Sequence, residues 1–80
     1  MFYVYILRSV NNPEKIYTGC TPDINQRLIN HNDGKASYSS KYAPWELHMY
    51  FVFKEESRAF AFEQYLKSGS GKALAKKHFV

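Results

Sequence analysis

The stretch Phe2-Tyr3-Val4-Tyr5-Ile6-Leu7 decides how the rest of the chain is interpreted. Residues 2–8 alternate in character and are rich in aromatic and β-branched types, which is typical of a β-strand. A second stretch, Ile16-Tyr17-Thr18-Gly19-Cys20, is similar and short enough to pair with the first. Between them Asn11-Asn12-Pro13 predicts a turn, because Asn tolerates unusual dihedral angles and Pro presets one. The chain is therefore expected to begin with a β-hairpin that carries a tyrosine in each strand.

Beyond the hairpin, the pattern predicts one further strand, three helices and a polar loop at residues 35–44. The strand runs from Glu46 to Phe53, and alternation predicts one face with Leu47, Met49, Phe51 and Phe53 and another with His48, Tyr50 and Val52. The expected helices are Pro22 to Asn32-Asp33-Gly34, Ser57 to about Lys67, and Lys72 to Phe79. Thr21 is expected to cap the first helix and Ser57 the second. The segment Ser68-Gly69-Ser70-Gly71 is expected to separate the last two helices.

Composition limits the possible functions. Eighty residues are expected to form one domain, residues 1–80. The single cysteine, Cys20, excludes an internal disulfide and any zinc site built from several cysteines. No leader sequence and no apolar run of membrane-spanning length is recognised, so a cytoplasmic protein without a membrane partner is expected. The net charge of +4 favours polyanionic partners, although many small basic domains are charged for solubility alone.

Charged residues lie on the apolar stripes of the two longer predicted helices. Ile24, Arg27, Leu28 and His31 share one face by their spacing. Ala59, Phe62, Glu63 and Leu66 share the equivalent face of the later helix. A charge on a buried stripe costs free energy unless it is paired or bound. Arg27 and Glu63 could pair with each other, extend to water from the stripe edge, or interact with neighbours one turn away, such as Lys67.

Tyr5, Tyr17, Arg27 and Glu63 together offer groups suited to phosphodiester cleavage. Arg27 could hold a phosphate with two parallel hydrogen bonds, and Glu63 offers a hard oxygen ligand for Mg²⁺ or Mn²⁺. Tyr17 could orient the attacking water or act as a base, and Tyr5 could hydrogen-bond the phosphate. His31 is a second candidate base. With one carboxylate, a single divalent ion should bind weakly until substrate oxygens complete its shell. Alternatively, both tyrosines are half-buried strand residues and His31 only packs.

These residues, in this order, make the chain resemble a GIY-YIG domain, specifically the small stand-alone members of the UPF0213 type. Tyr3-Val4-Tyr5 matches the first motif and Tyr17-Thr18-Gly19 the second, while Arg27 and Glu63 match the family's helix arginine and metal-binding glutamate. The family also includes the N-terminal catalytic domain of an excision-repair nuclease. The resemblance covers essentially the whole chain. It implies an α/β domain of the α+β kind, with a small three-stranded antiparallel sheet flanked by helices, and a metal-dependent endonuclease.

Three departures from the family pattern bear on activity. Tyr3 stands where the first motif has glycine, and Cys20 stands where the excision-repair relatives have lysine. No asparagine follows Asn32, so a downstream asparagine of some relatives has no counterpart. The functional alternatives are an endonuclease in DNA repair or processing, and a weak or inactive nucleic-acid-binding module that retains the fold.

Candidate substrate-binding residues lie in the polar loop. Lysines interleaved with tyrosines suit backbone contacts combined with base stacking. The candidates are Lys35, Tyr38, Lys41 and Tyr42. The expected partner is DNA in a structured or single-stranded form. Alternatively, the loop is solvated and its tyrosines fold back on the core. Lys72, Lys76 and Lys77 give the last helix a basic face, which is more commonly a solvated helix end.

Overall fold

A computed structural model describes residues 1–33 and 41–79. Within those residues the chain forms a three-stranded antiparallel sheet and three helices. In chain order the elements are β1 (Phe2–Ser9), β2 (Ile16–Thr21), α1 (Ile24–Asn32), β3 (Trp45–Phe53), α2 (Glu56–Lys67) and α3 (Gly69–His78). The predicted fold class is confirmed, and no described helix is long and apolar enough to cross a bilayer.

Strand β1 is the central strand, with β2 and β3 antiparallel on its two sides. Its alternation divides the core into two clusters. Val4 and Ile6 pack with α2 and α3 on one face of the sheet. Tyr5 and Leu7 pack on the other face with residues of α1 and with Trp45. Helices therefore cover both faces, with α2 and α3 on one and α1 on the other.

The register of β3 corrects one expectation. Ile6 lies opposite Met49, but Leu7 lies opposite Leu47, so His48 is an extra residue on β3. Such a bulge reverses the inward and outward alternation beyond it. Leu47 accordingly lies outside the cluster that Met49 belongs to, and it is exposed. The His48 ring donates to the Phe79 carbonyl, which joins the bulge to the end of α3.

The helix starts also differ from the expected ones. Asp23, not Thr21, caps α1, because its side chain accepts a hydrogen bond from the Gln26 amide (3.1 Å). Glu55 precedes α2 without a side-chain cap, so Ser57 does not cap it. Ser68 caps a third helix that already begins at Gly69, where the glycines predicted a break. A capping serine thus outweighs the poor helix propensity of two glycines.

Gly71 fits where no side chain can. A Cβ at this position would lie 1.8 Å from the Tyr65 carbonyl oxygen, whereas one at Gly69 would meet nothing within 4 Å. We expect Gly71→Ala to destabilise the fold by at least about 2 kcal/mol, since backbone atoms cannot move aside cheaply. The matched change Gly69→Ala should alter stability by less than about 0.5 kcal/mol. Thermal melts of both variants measure this, and equal melting temperatures would contradict the close approach of α2 and α3.

Candidate active site

The Tyr5 side chain lies at the centre of the candidate site. It points away from the α2 and α3 face and is 2% exposed. Its ring crosses Gly19, the partner of Tyr5 on β2, so closely that a Cβ on Gly19 would lie 2.3 Å from the phenol oxygen. The Tyr5 hydroxyl then lies 3.1 Å from Nε2 of His31. Gly19 is therefore needed for space, a role that its place in the Tyr17-Thr18-Gly19 motif did not reveal.

Tyr17 and His31 complete an aromatic cluster with Tyr5. The Tyr17 ring lies 4.5 Å from the His31 ring and 6.3 Å from the Tyr5 ring, between centroids. His31 is buried, as its position on the stripe of α1 predicted, whereas Tyr17 is half-buried. The end of α1 is held to the sheet by Asn32, whose side-chain amide forms hydrogen bonds with both the Trp45 N–H (2.6 Å) and the Trp45 carbonyl (3.2 Å).

Arg27 is exposed, so the structure adopts the alternative in which this side chain extends to water from the edge of the stripe. Ile24 and Leu28 pack in the core, and Arg27 lies beside them, at the stripe's edge. Its charge still acts on the site, since it contributes to lowering the pKa of His31 and opposes the rise in the pKa of Tyr5. The guanidinium is thus open to water and close enough to affect both groups.

Glu63 lies on α2, which packs on the opposite face of the sheet from α1. It is buried on α2 at 8% exposure, and the Lys67 ammonium donates to its carboxylate at 2.8 Å. Pairing one turn along the helix is therefore the alternative that the structure adopts. Glu63 also helps to raise the pKa values of Tyr5 and Cys20. The electrostatic influence of Arg27 and Glu63 therefore meets at the Tyr5 phenol.

Burial fixes the protonation of the central groups. Burial raises the pKa of the Tyr5 phenol far above its ordinary value, so this group keeps its proton at neutral pH. Burial, with Arg27, lowers the pKa of His31, so the imidazole is neutral. Nδ1 of His31 has no hydrogen-bond partner among the described residues, and a buried lone pair is less costly there than a buried N–H. The proton then resides on Nε2, which donates to the Tyr5 oxygen and leaves the phenol O–H available to another acceptor.

The neutral state of His31 predicts how stability depends on pH. The folded pKa is below the ordinary value of about 6.5, so the unfolded chain binds more protons in that range. Unfolding free energy should therefore fall as the pH falls through about 6.5 towards the folded pKa. Denaturant titrations at about pH 7.5 and about pH 5 should show a smaller loss for His31→Gln than for the wild type. The exposed His78→Gln is the control, and equal losses in the wild type and His31→Gln would contradict a buried neutral imidazole.

Cys20 lies on β2 and packs against the core cluster on the α2 and α3 face of the sheet. Burial first, and then the Glu63 and Glu56 charges, raise the pKa of its thiol, and Arg27 opposes the rise. The thiol is therefore protonated at neutral pH and is a poor nucleophile. The Cys20 side chain carries no positive charge. The cation that contacts the Glu63 carboxylate is the Lys67 ammonium.

The predicted substrate-binding loop is described only at its end. Lys35 and Tyr38 lie outside the described residues. Tyr42 is half-buried in the core cluster of Tyr5, with the Lys15 and Lys41 ammoniums 5.4 and 5.5 Å from its ring centre. This matches the alternative in which the tyrosine folds back on the core. Lys41 is exposed.

The described residues hold no group of three or more His, Cys, Asp or Glu side chains that could bind a metal. Glu63 is the carboxylate whose charge acts on the Tyr5 phenol. This donor set does not suit a transition metal held by several protein ligands. It suits a hard divalent ion that keeps most of its water molecules and takes further oxygens from a phosphate.

Comparisons with known proteins show which family the chain resembles. Residues 1–77 match the model of the GIY-YIG catalytic domain. A UPF0213 protein of Streptococcus pyogenes serotype M3 is 36% identical over 66 residues, covering 81% of this chain and 70% of the relative. The structure-specific endonuclease subunit SLX1 of Debaryomyces hansenii is 38% identical over 74 residues, covering 82% of this chain but 21% of the yeast protein. The solution NMR structure of a UPF0213 protein from Bacillus halodurans aligns with a TM-score of 0.55 at 31% identity, covering 99% of this chain and 87% of that one.

Proposed function

The chain belongs to the GIY-YIG catalytic domain family, and on that premise we propose that it is a metal-dependent endonuclease that hydrolyses phosphodiester bonds in DNA. The family membership gives it a nuclease-type fold. The observation that carries the proposal is the surroundings of the Tyr5 phenol. This group contacts His31 and Tyr17, and its pKa responds to both Arg27 and Glu63. A cation and a carboxylate thus both act electrostatically on a phenol that contacts a second phenol.

A single Mg²⁺ or Mn²⁺ ion belongs to the proposal, with Glu63 as its protein ligand. When bound, such an ion supplies positive charge opposite the developing charge on the phosphate. Glu63 is buried and already neutralised by Lys67, so a metal must compete with an ammonium in direct contact. We therefore expect weak binding of the free ion by the protein, and tighter binding when phosphate oxygens complete the shell.

The proposed roles of the other residues follow from their contacts and charge. Arg27 is open to solvent and binds the phosphate through its guanidinium. Tyr5 retains its proton and donates it in a hydrogen bond to a phosphate oxygen, while Nε2–H of His31 fixes the orientation of the phenol. His31 packs against both tyrosines and forms a hydrogen bond with the Tyr5 hydroxyl, so its proposed role is to position Tyr5. Tyr17 is half-buried and orients the attacking water.

A structured or single-stranded DNA is the proposed substrate. The yeast relative is a structure-specific endonuclease subunit by name, and this chain corresponds to about a fifth of its length. The described elements are short, and the charge of +4 suits the phosphate backbone without sequence-reading contacts. Repair or processing of DNA in the cytoplasm is the setting that we propose.

A non-catalytic nucleic-acid-binding module is the second candidate. Two observations favour it: the Lys67 ammonium already contacts the carboxylate proposed to bind the metal, and Cys20 stands where related nucleases have lysine. In such a module, DNA binding would persist without metal-dependent cleavage.

Incubation with single-stranded, duplex and branched DNA, and with single-stranded RNA, tests the proposal. Each reaction contains Mn²⁺ or a chelator, and Glu63→Gln protein purified in parallel controls for contaminating nucleases. We expect cleavage of single-stranded or branched DNA that requires the metal and is absent with the variant. Binding of these DNAs without cleavage under any condition would favour the non-catalytic module, and cleavage of RNA alone would change the substrate.

A further inference from the structure

A basic cleft lies beside the candidate site, on the sheet face that carries α2 and α3. Its volume is about 850 Å³, and it is bounded by the hairpin turn, the start of β2 and the two helices. Five of its lining residues are cations: Arg8, Lys15, Lys67, Lys72 and Lys76. Glu14 is the one acidic residue in this lining. The Lys15 ammonium lies over the Tyr42 ring, in the core cluster on the other face of the sheet. Four of the 11 lysines and arginines of the chain, Arg8, Lys67, Lys72 and Lys76, therefore remain around this one depression.

Most of these cations form no ion pair within the described part of the chain. There, only Lys67 among the five forms an ion pair with a carboxylate. Arg8 is half-buried, and its Nε is buried with no hydrogen-bond partner among the described residues. Such an unsatisfied donor in a site rich in positive charge indicates that an anion belongs there.

The floor of the cleft is apolar, with Ile16, Leu66 and Ala75 at the edge of the core. Lys72 and Lys76 stand one helical turn apart on its wall, about 6 Å along the axis of α3. That separation is comparable with the distance between neighbouring phosphates in a single strand. Cations at this spacing above an apolar floor suit a chain that carries phosphates on one side and bases or sugars on the other.

The cleft is continuous with the candidate site at two points. Tyr17 lines the cleft, stacks on Tyr5 and contacts the His31 ring in a tilted arrangement. Lys67 lines the cleft and also contacts the Glu63 carboxylate. A strand lying in the cleft would therefore lead to the groups proposed to cleave it. An unrelated anion, such as an acidic peptide, would not require a binding surface that shares Tyr17 and Lys67 with the candidate site.

We propose that this basic cleft holds the phosphates of a single-stranded segment of the DNA substrate and directs that strand to Glu63. The inference rests on the proposed function for the identity of the occupant. It assigns substrate binding to Arg8 and to α3, on the opposite face of the sheet from the loop that contains Lys41 and Tyr42.

A DNA-binding measurement under conditions that prevent cleavage tests the proposed role of the cleft. Fluorescence anisotropy of labelled oligothymidine, with a chelator present, is measured for the wild type and for Lys72→Ala/Lys76→Ala. We expect the dissociation constant to rise at least about 10-fold and the slope of log affinity against log salt to fall by about 1.4, since each phosphate contact on a single strand contributes about 0.7. The control, Lys54→Ala/Lys77→Ala, removes the same charge outside the cleft and should change affinity less than about 3-fold.

The outcomes separate the cleft from the proposed activity. If the cleft variant binds oligothymidine like the control, or if the wild type does not bind it, the cleft proposal is overturned, whatever DNA is cleaved. An equal loss for a blunt duplex and for the single strand would overturn the preference for a single strand. If the cleft variant loses binding while the wild type cleaves nothing, the cleft proposal stands and the nuclease proposal fails.

Discussion

Arg27→Ala should reduce DNA cleavage by at least about 100-fold, a typical loss for one preorganised group that stabilises charge in the transition state. The same change should alter the unfolding free energy by less than about 1 kcal/mol, because Arg27 is exposed and the core contacts of α1 are made by other side chains of that helix. Single-turnover cleavage and thermal melts on one preparation measure both effects.

Arg58→Ala is the matched control for this prediction. Arg58 is an exposed helix arginine whose guanidinium lies 3.8 Å from the Glu55 carboxylate. Its removal takes away the same charge at a site remote from the phenols in sequence and should leave cleavage within about 3-fold of the wild type. A large fall in melting temperature with unchanged cleavage for Arg27→Ala would make Arg27 a structural residue and refute its proposed role.

Glu63→Gln should reduce cleavage by at least about 1,000-fold, because the change removes the proposed protein ligand of the metal together with its charge. The fold should survive, since Gln keeps the size of the side chain, and Lys67 is exposed enough for its ammonium to turn to water.

Paramagnetic Mn²⁺, added with a single-stranded oligonucleotide, should broaden amide resonances near Glu63 in the wild type and not in the variant. Glu56→Gln, at an exposed position in the first turn of α2, is the control. Retained broadening in Glu63→Gln would show that the metal binds elsewhere.

Much of the fold could be predicted because the local patterns are strong. Alternation located the three strands, and helical periodicity identified which faces of α1 and α2 pack on the sheet. The same periodicity brought His31 and Glu63 inward, where the structure has them. The motif tyrosines Tyr5 and Tyr17 do lie together, because the hairpin register and the space over Gly19 bring them into contact.

The remaining features depend on information that residue spacing does not carry. Spacing assigns Arg27 to a stripe but does not say whether it lies at the centre or at the edge, and here it lies at the exposed edge. The bulge at His48 arises from the fit of β3 to β1 and moves Leu47 to the other face. The basic cleft combines the hairpin turn with α2 and α3, so its cations appear in sequence as three unrelated groups.

The central claim is that Arg27 and Glu63 belong to one catalytic site although they lie on helices that cover opposite faces of the sheet. Single-turnover cleavage of one DNA substrate by the wild type, Arg27→Ala, Glu63→Gln and the double variant tests it most directly. Groups that act together in one transition state give strongly non-additive losses, so the double variant should lose no more than the worse single variant, about 1,000-fold. Losses that multiply to about 100,000-fold would show that the two residues act independently, and unchanged cleavage in either single variant would remove that residue from the site.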